Sequence, residues 1–206
     1  MRPKRFEYTM TAADDDGYLL SATGAGPWVT FLAQPGDMCS HQVSINTSDD
    51  LSGITFTLLG TDAENRSVTE GLVGGNNAKV YSVKFYKTLV SITASSTVGA
   101  LHYDAGWIGG GKSEYVYTPT YPVATYPDAG TELALDLTSG TIEYTKQQTN
   151  DNVYENNPAS WQTLGTVDLT VDSKTQALVG TTGVRVKLSA YTDAIFYLTV
   201  SQARVS

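Results

Sequence analysis

Cysteine, histidine and charge are all scarce in this chain of 206 residues. The single cysteine, Cys39, cannot form an intrachain disulfide, which excludes a disulfide-stapled secreted module. Only two histidines occur, His41 and His102, and neither sits in a metal-ligand spacing such as His-x-x-x-His or Cys-x-x-Cys. Charged residues make up 17% of the chain, below the roughly 25% usual for soluble domains. The 13 Lys and Arg are spread thinly against 21 Asp and Glu, with Arg2, Lys4 and Arg5 as the only cluster. A net charge of −8 leaves no basic face to follow a phosphate backbone, so direct nucleic-acid binding is not expected. No apolar run approaches the length of a membrane span. The opening Met1-Arg2-Pro3-Lys4-Arg5 leads into polar residues rather than a signal peptide. No stretch of ten or more residues keeps helical spacing.

What is abundant points the other way. Thr, Ser, Gly and 13 Tyr fill the composition; Thr and Tyr suit a pleated, half-buried surface, and Gly suits tight turns. Ile54-Thr55-Phe56-Thr57-Leu58 alternates apolar and hydroxyl side chains, as a strand with one wet face requires. Val43-Ser44-Ile45, Tyr81–Phe85, Val90-Ser91-Ile92, Ile142–Thr145 and Val184–Leu188 follow the same rule. Ala194–Val200 is apolar on both faces and is expected at the centre of a sheet. Turn clusters separate these runs about every ten residues. One is Gly60–Asn65, and another, Gly74-Gly75-Asn76-Asn77, reads as a hairpin tip.

The expected fold is therefore all-β. We expect two small antiparallel β-sandwich domains, jelly-roll or immunoglobulin-like, at 1–108 and 128–206. Between them, 109–127 holds Gly109-Gly110-Gly111, Tyr117-Thr118-Pro119-Thr120-Tyr121-Pro122 and Tyr126-Pro127. Its prolines remove ladder donors, so it reads as an extended linker arm. Its tyrosines either bury area at an interface or lie on their own domain. The halves also end alike. Leu89–Ala94 then Ala100–Trp107 matches Val184–Ala190 then Ala194–Ser201, as strand, short turn and strand.

Chemistry-bearing patterns are few, and the residues support no catalytic, cofactor or metal assignment. Cys39 and His41 lie two apart, on one side of an extended strand, without a third group to orient them. Asp14-Asp15-Asp16-Gly17 begins like a calcium loop, but Tyr18-Leu19-Leu20-Ser21 supplies none of the remaining ligands. Gly106–Ser113 matches the bare phosphate-loop string, yet Glu114–Pro119 follows it in place of a helix. Trp28, Trp107 and Trp161 lie near strand ends, either as core plugs or as platforms for a sugar.

Two longer segments carry a resemblance. One runs Asp50-Leu51-Ser52-Gly53-Ile54-Thr55-Phe56-Thr57-Leu58-Leu59-Gly60-Thr61-Asp62-Ala63, then Val68-Thr69-Glu70-Gly71 and Tyr86–Ser95. The other runs Ile142–Val153, Ala159-Ser160-Trp161, Val184–Leu188 and Leu198–Gln202. Together with the opening Met1–Ala13, they resemble structural proteins of tailed bacteriophages. The resemblance implies a non-catalytic virion component without cofactors, assembled in the host bacterial cytoplasm. It would be present in several copies on the capsid, neck or tail. Its partners would be itself and other virion subunits, with no membrane contact. The alternative from another class is a carbohydrate-binding, host-receptor module.

Overall fold

The computed structural model describes residues 3–97, 101–108, 115–123, 130–153, 160–177 and 180–202. Among them there is no helix, and every sheet is antiparallel. In chain order the strands are β1 (Lys4–Thr9), β2 (Asp14–Ala22), β3 (His41–Asn46), β4 (Thr55–Thr61), β5 (Ser67–Val73), β6 (Val80–Tyr86) and β7 (Thr88–Ala94). They continue as β8 (Tyr103–Trp107), β9 (Val116–Tyr117), β10 (Tyr121–Pro122), β11 (Thr131–Thr149), β12 (Gln162–Thr163), β13 (Ser173–Ala177) and β14 (Gly183–Gln202). The chain divides into two compact units, Thr11–Gly109, and Met1–Met10 with Gly110–Ser206.

The 11–109 unit is a sandwich of two sheets, β2-β8-β3-β6 and β5-β4-β7. Alternation places Phe56 and Leu58 of β4 inward and Thr55 and Thr57 outward. Phe56, Leu58, Leu72 and Ile92 then meet Tyr18, Val43, Ile45, Tyr103 and Trp107 of the other sheet in one buried cluster. Each such large side chain contributes roughly 1.5–3 kcal/mol when fully buried. Phe56 and Tyr103 lie 4.7 Å apart, and Tyr18 meets Trp107 edge-on at 5.1 Å. The Trp107 indole N–H is satisfied by the Ala12 carbonyl at 2.9 Å.

Both seams of this sandwich are closed. On one side, the segment after β2 lies along β7: Trp28 and Ile92 exchange backbone bonds, and the Gln34 side chain bonds both N–H and C=O of Leu89. The same segment reaches β2 through Leu32 and Ala33, whose N–H groups bond Tyr18 and Gly17. On the other side, the Glu70 carboxylate of β5 accepts the Val83 and Lys84 N–H groups of β6. Lys84 Nζ returns a bond to the Thr69 carbonyl. Backbone groups of β2, β6 and β7 at these edges are thereby engaged.

Two sequence expectations change here. Gly74–Asn77 is not a hairpin tip, because β5 pairs β4 while β6 pairs β3; this turn crosses from one sheet to the other. The suggested repeat also dissolves. β7 and β8 belong to different sheets, whereas the counterpart in the second half is one continuous strand, β14. Turn composition reports a change of direction but not which sheet the chain enters next.

The other unit is built on β11 and β14, which pair along nearly their whole lengths. Bulges between Leu137 and Thr141, and at Glu143/Tyr144, bend the ladder. Gly140 (φ +74°) and Asp193 (φ +47°) occupy left-handed conformations at the bend. A Cβ on Gly140 would come 2.3 Å from the Asp193 carbonyl oxygen, so this corner requires glycine. The bend brings the two halves of the sheet face to face: Lys146 Nζ on the second half of β11 bonds the Leu133 carbonyl on the first half, at 2.8 Å. Leu133, Leu135, Tyr144, Val186, Leu188, Phe196 and Leu198 are buried in this unit. As expected for Ala194–Val200, β14 lies inside the sheet, between β1 and β11.

Membership of this unit differs from the 1–108 and 128–206 division. β1 pairs with β14 from Lys4↔Val200 to Thr9↔Ile195, with Tyr8 stacked on Phe196 at 5.1 Å. The Tyr/Pro segment, where described, is not an isolated linker but an edge of the same sheet. β9 pairs Lys187 and Leu188, and β10 pairs Gly183 and Val184. Proline is tolerated there because an edge strand needs donors on one side only. Beside Pro119, Thr118 bonds Val186 twice, donating its N–H and accepting through Oγ1. The Gly109–Gly111 stretch and Tyr126-Pro127 lie outside the described residues.

Candidate functional site

His41 opens β3 as a fully buried side chain. Its Nε2 lies 3.0 Å from both carboxylate oxygens of Asp37, and its Nδ1 lies 3.0 Å from the Ile108 carbonyl oxygen. A carbonyl and a carboxylate only accept, so each ring nitrogen faces an acceptor. Asp37 also accepts the backbone N–H groups of Thr11 and Cys39. Burial pushes the Asp37 carboxyl up, but the bond and charge of His41, aided by those two N–H groups, outweigh it and hold the carboxyl below its ordinary value.

Cys39 does not complete a thiol–imidazole pair. It is fully buried, and desolvation with the Asp37 charge drives its thiol well above the ordinary value. A thiol held protonated is a poor nucleophile. The partner that sequence reasoning missed is Asp37. It lies in a loop four residues before His41, where no strand or helix period signals contact. With Asp37 3% exposed and His41 0%, the pair braces the loop before β3 to the end of β8 and cannot reach a substrate.

The other candidates separate. Gly106 lies within β8, and a Cβ there would sit 1.8 Å from the Asp14 carbonyl oxygen. Strand crowding, not a phosphate, accounts for this glycine; Gly109–Ser113 lies outside the described residues. Trp107 is core, and Trp28 packs edge-on against Tyr103 at 5.6 Å. Among the described residues no group of three His, Cys, Asp or Glu is arranged around a metal position.

Two surface features remain, one on each unit. On the 11–109 unit, a polar cleft of about 620 Å³ is lined by hydroxyl and amide side chains, including Ser21, Asn46, Ser48 and Asn77, with Lys79, His102 and Asp104. Lys79 pairs with Asp15, and Asp104 accepts the Ser21 N–H at 2.7 Å. Asp14, Asp15 and Asp16 begin β2, and Asp15 is the residue paired with Lys79. The Asp16 carboxyl is raised, first by its bond to the Asp14 carboxyl, then by slight desolvation and the charges of Asp14 and Asp104.

On the other unit, Arg185 and Lys187 point from one face of β14, while Val184, Val186 and Leu188 are buried on the opposite face. The Arg185 guanidinium lies between the Tyr117 ring (4.0 Å) and the Trp161 ring (3.9 Å), and its Nε donates to Gln147 at 2.8 Å. Lys187 Nζ stands 3.4 Å from the Tyr115 ring centroid. The result is a stripe of alternating rings and cations. Tyr115 and Tyr117 come from the Tyr/Pro segment, so that segment supplies two of the three rings. Cation–π contact holds these long side chains in place on the sheet.

No known protein-family model matches this chain, and no curated protein matches it in sequence.

Proposed function

We propose that this chain is a non-catalytic structural subunit of a tailed-bacteriophage virion. It would be assembled in the host bacterial cytoplasm and carried in several copies on the capsid, neck or tail. The observation that carries the reading is how the reactive side chains are used. The imidazole and its carboxylate form an internal brace and the thiol beside them is buried, while cations and aromatic rings are displayed together on a sheet surface. Such a molecule works through packing. Repetition in a symmetric array lets individually weak contacts hold together. The phage-like order of segments supplies the setting.

The test is localisation. Purified particles should contain the chain at a fixed multiple copy number by quantitative mass spectrometry, with density of its shape at symmetry-related positions. Particles lacking the chain would refute the reading. A second reading, carbohydrate recognition, is favoured by the hydroxyl and amide lining of the cleft. It requires saturable binding on a glycan array that is lost in Asn46→Ala or Asn77→Ala.

A further inference from the structure

We propose that the polar cleft of the 11–109 unit takes a neutral glycan, and that Asp104 is the residue that turns acidic sugars away. The inference deepens the carbohydrate reading of this cleft and rests on it.

Sheet topology makes the cleft. β2, β8, β3 and β6 lie side by side in that order, each antiparallel to the next. The end of β2, the start of β8, the end of β3 and the start of β6 therefore fall at one end of the sheet. Residues 21, 102–104, 46–48 and 77–79, at or beside those four places, line the cleft. Its backbone is tied down. Asp104 accepts the Ser21 N–H at 2.7 Å, and Thr47 Oγ1 donates to the His102 carbonyl at 2.9 Å. The His102 N–H bonds the Asp49 carboxylate at 2.9 Å, and the Asn77 N–H bonds the Asp49 carbonyl at 2.8 Å. Ser21 (φ +51°) and Asn77 (φ +45°) hold left-handed backbone beside the two outer strands of the sheet. Residues other than glycine kept in that conformation cluster at ligand sites.

The walls are fixed, yet the side chains are left open to a ligand. Among the described residues, the Asn46 and Asn77 amides, the Ser21 and Ser48 hydroxyls and the His102 ring make no hydrogen bond. Each amide and hydroxyl both donates and accepts, as the hydroxyls of a sugar do. The volume, about 620 Å³, falls within the roughly 300–1,000 Å³ of small-molecule sites. Charge then narrows the class of ligand. The Lys79 ammonium is already committed to Asp15. Asp104 has no ion-pair partner among the described residues, and its second carboxylate oxygen makes no hydrogen bond. A carboxylate only accepts, so that oxygen takes an O–H from a neutral sugar. A sugar carboxylate or sulfate in the same place meets like charge, which selects against it.

The experiment screens full-length chain on an array that pairs each neutral oligosaccharide with its sialylated, uronylated and sulfated forms. Wild-type chain should bind neutral members saturably and their acidic partners at least about tenfold more weakly. D104N keeps an oxygen for the Ser21 N–H but loses the charge, and should narrow that gap to about threefold or less. Far-UV circular dichroism and thermal melting verify its fold. Should D104N melt early, wild-type chain carries the same test, because rising salt screens the carboxylate and should relax the rejection of acidic glycans. Two-dimensional NMR with the strongest-binding array glycan should shift amides at 21, 46–48, 77–79 and 102–104.

No saturable glycan binding by wild-type chain overturns this inference and the carbohydrate reading together. Neutral binding that Asn46→Ala abolishes, with D104N as selective as wild type, overturns the role of Asp104 and keeps the carbohydrate reading. Tighter binding of acidic glycans or inorganic phosphate than of neutral glycans overturns the neutral class. Amide shifts confined to 110–206 overturn the placement in the cleft.

Discussion

Single side chains hold each unit together at points where the backbone cannot. Asp37 and His41 form a buried, hydrogen-bonded pair, and removing one partner leaves the other buried without it. Asp37→Asn should therefore cost about 3 kcal/mol by urea denaturation. The sign with pH follows from the lowered carboxyl. The carboxylate's contribution to stability is complete above its ordinary value of 3.8 and is lost as pH falls through the lower folded value. Asp37→Asn should flatten that acid limb. Lys146 behaves oppositely. It is buried, donating to the Leu133 and Ser173 carbonyls, and burial lowers its ammonium from 10.5 to about 8 despite the charges of Glu132 and Asp136. Between these values the unfolded chain binds more protons, so stability should rise with pH from about 8 towards 10. Above that, Tyr18, Tyr86 and Tyr103, whose hydroxyls burial raises, reverse the trend because they stay protonated only when folded. Lys146→Ala should abolish the rise. At pH 7 it should cost about 2 kcal/mol by removing the bonds to the Leu133 and Ser173 carbonyls.

At the scale of elements, the outer strands decide which segments belong together. β1 covers one side of β14 and buries Tyr8 against Phe196, while its Lys4, Arg5 and Glu7 remain exposed. Charged residues on such a strand discourage pairing with other chains. Deleting residues 1–9 should expose the apolar Ile195–Val200 edge. We expect a lower melting temperature and concentration-dependent light scattering. The individual strands β4, β6, β7 and β14 were legible because alternation is a local property of neighbouring residues. The placement of β1 was not, since its partner strand comes from the opposite end of the sequence. Nor was the docking of the Tyr/Pro segment, because prolines exclude a central strand but leave an edge strand and a linker indistinguishable.

For the whole molecule, two compact units with separate braces make a regional forecast. In hydrogen exchange, Asp37→Asn should lose protection first within 11–109, and Lys146→Ala first within 131–149 and 183–202. Uniform loss from either substitution would contradict it. The candidate surfaces also belong to this scale. Arg185 and Lys187 are readable as a same-face pair from their spacing, but Tyr115, Tyr117 and Trp161 reach them from segments that no short motif connects. The polar cleft likewise gathers residues from 21 to 104. The amino-acid order alone settled the all-β character, the alternating strand faces and the poverty of acid–base groups, because composition and period-two burial act between near neighbours. Only tertiary structure decided which strands share a sheet, that His41 answers to Asp37 rather than Cys39, and which cations stand between rings. Those outcomes depend on contacts between distant segments, and such contacts form only after the sheets bend and pack.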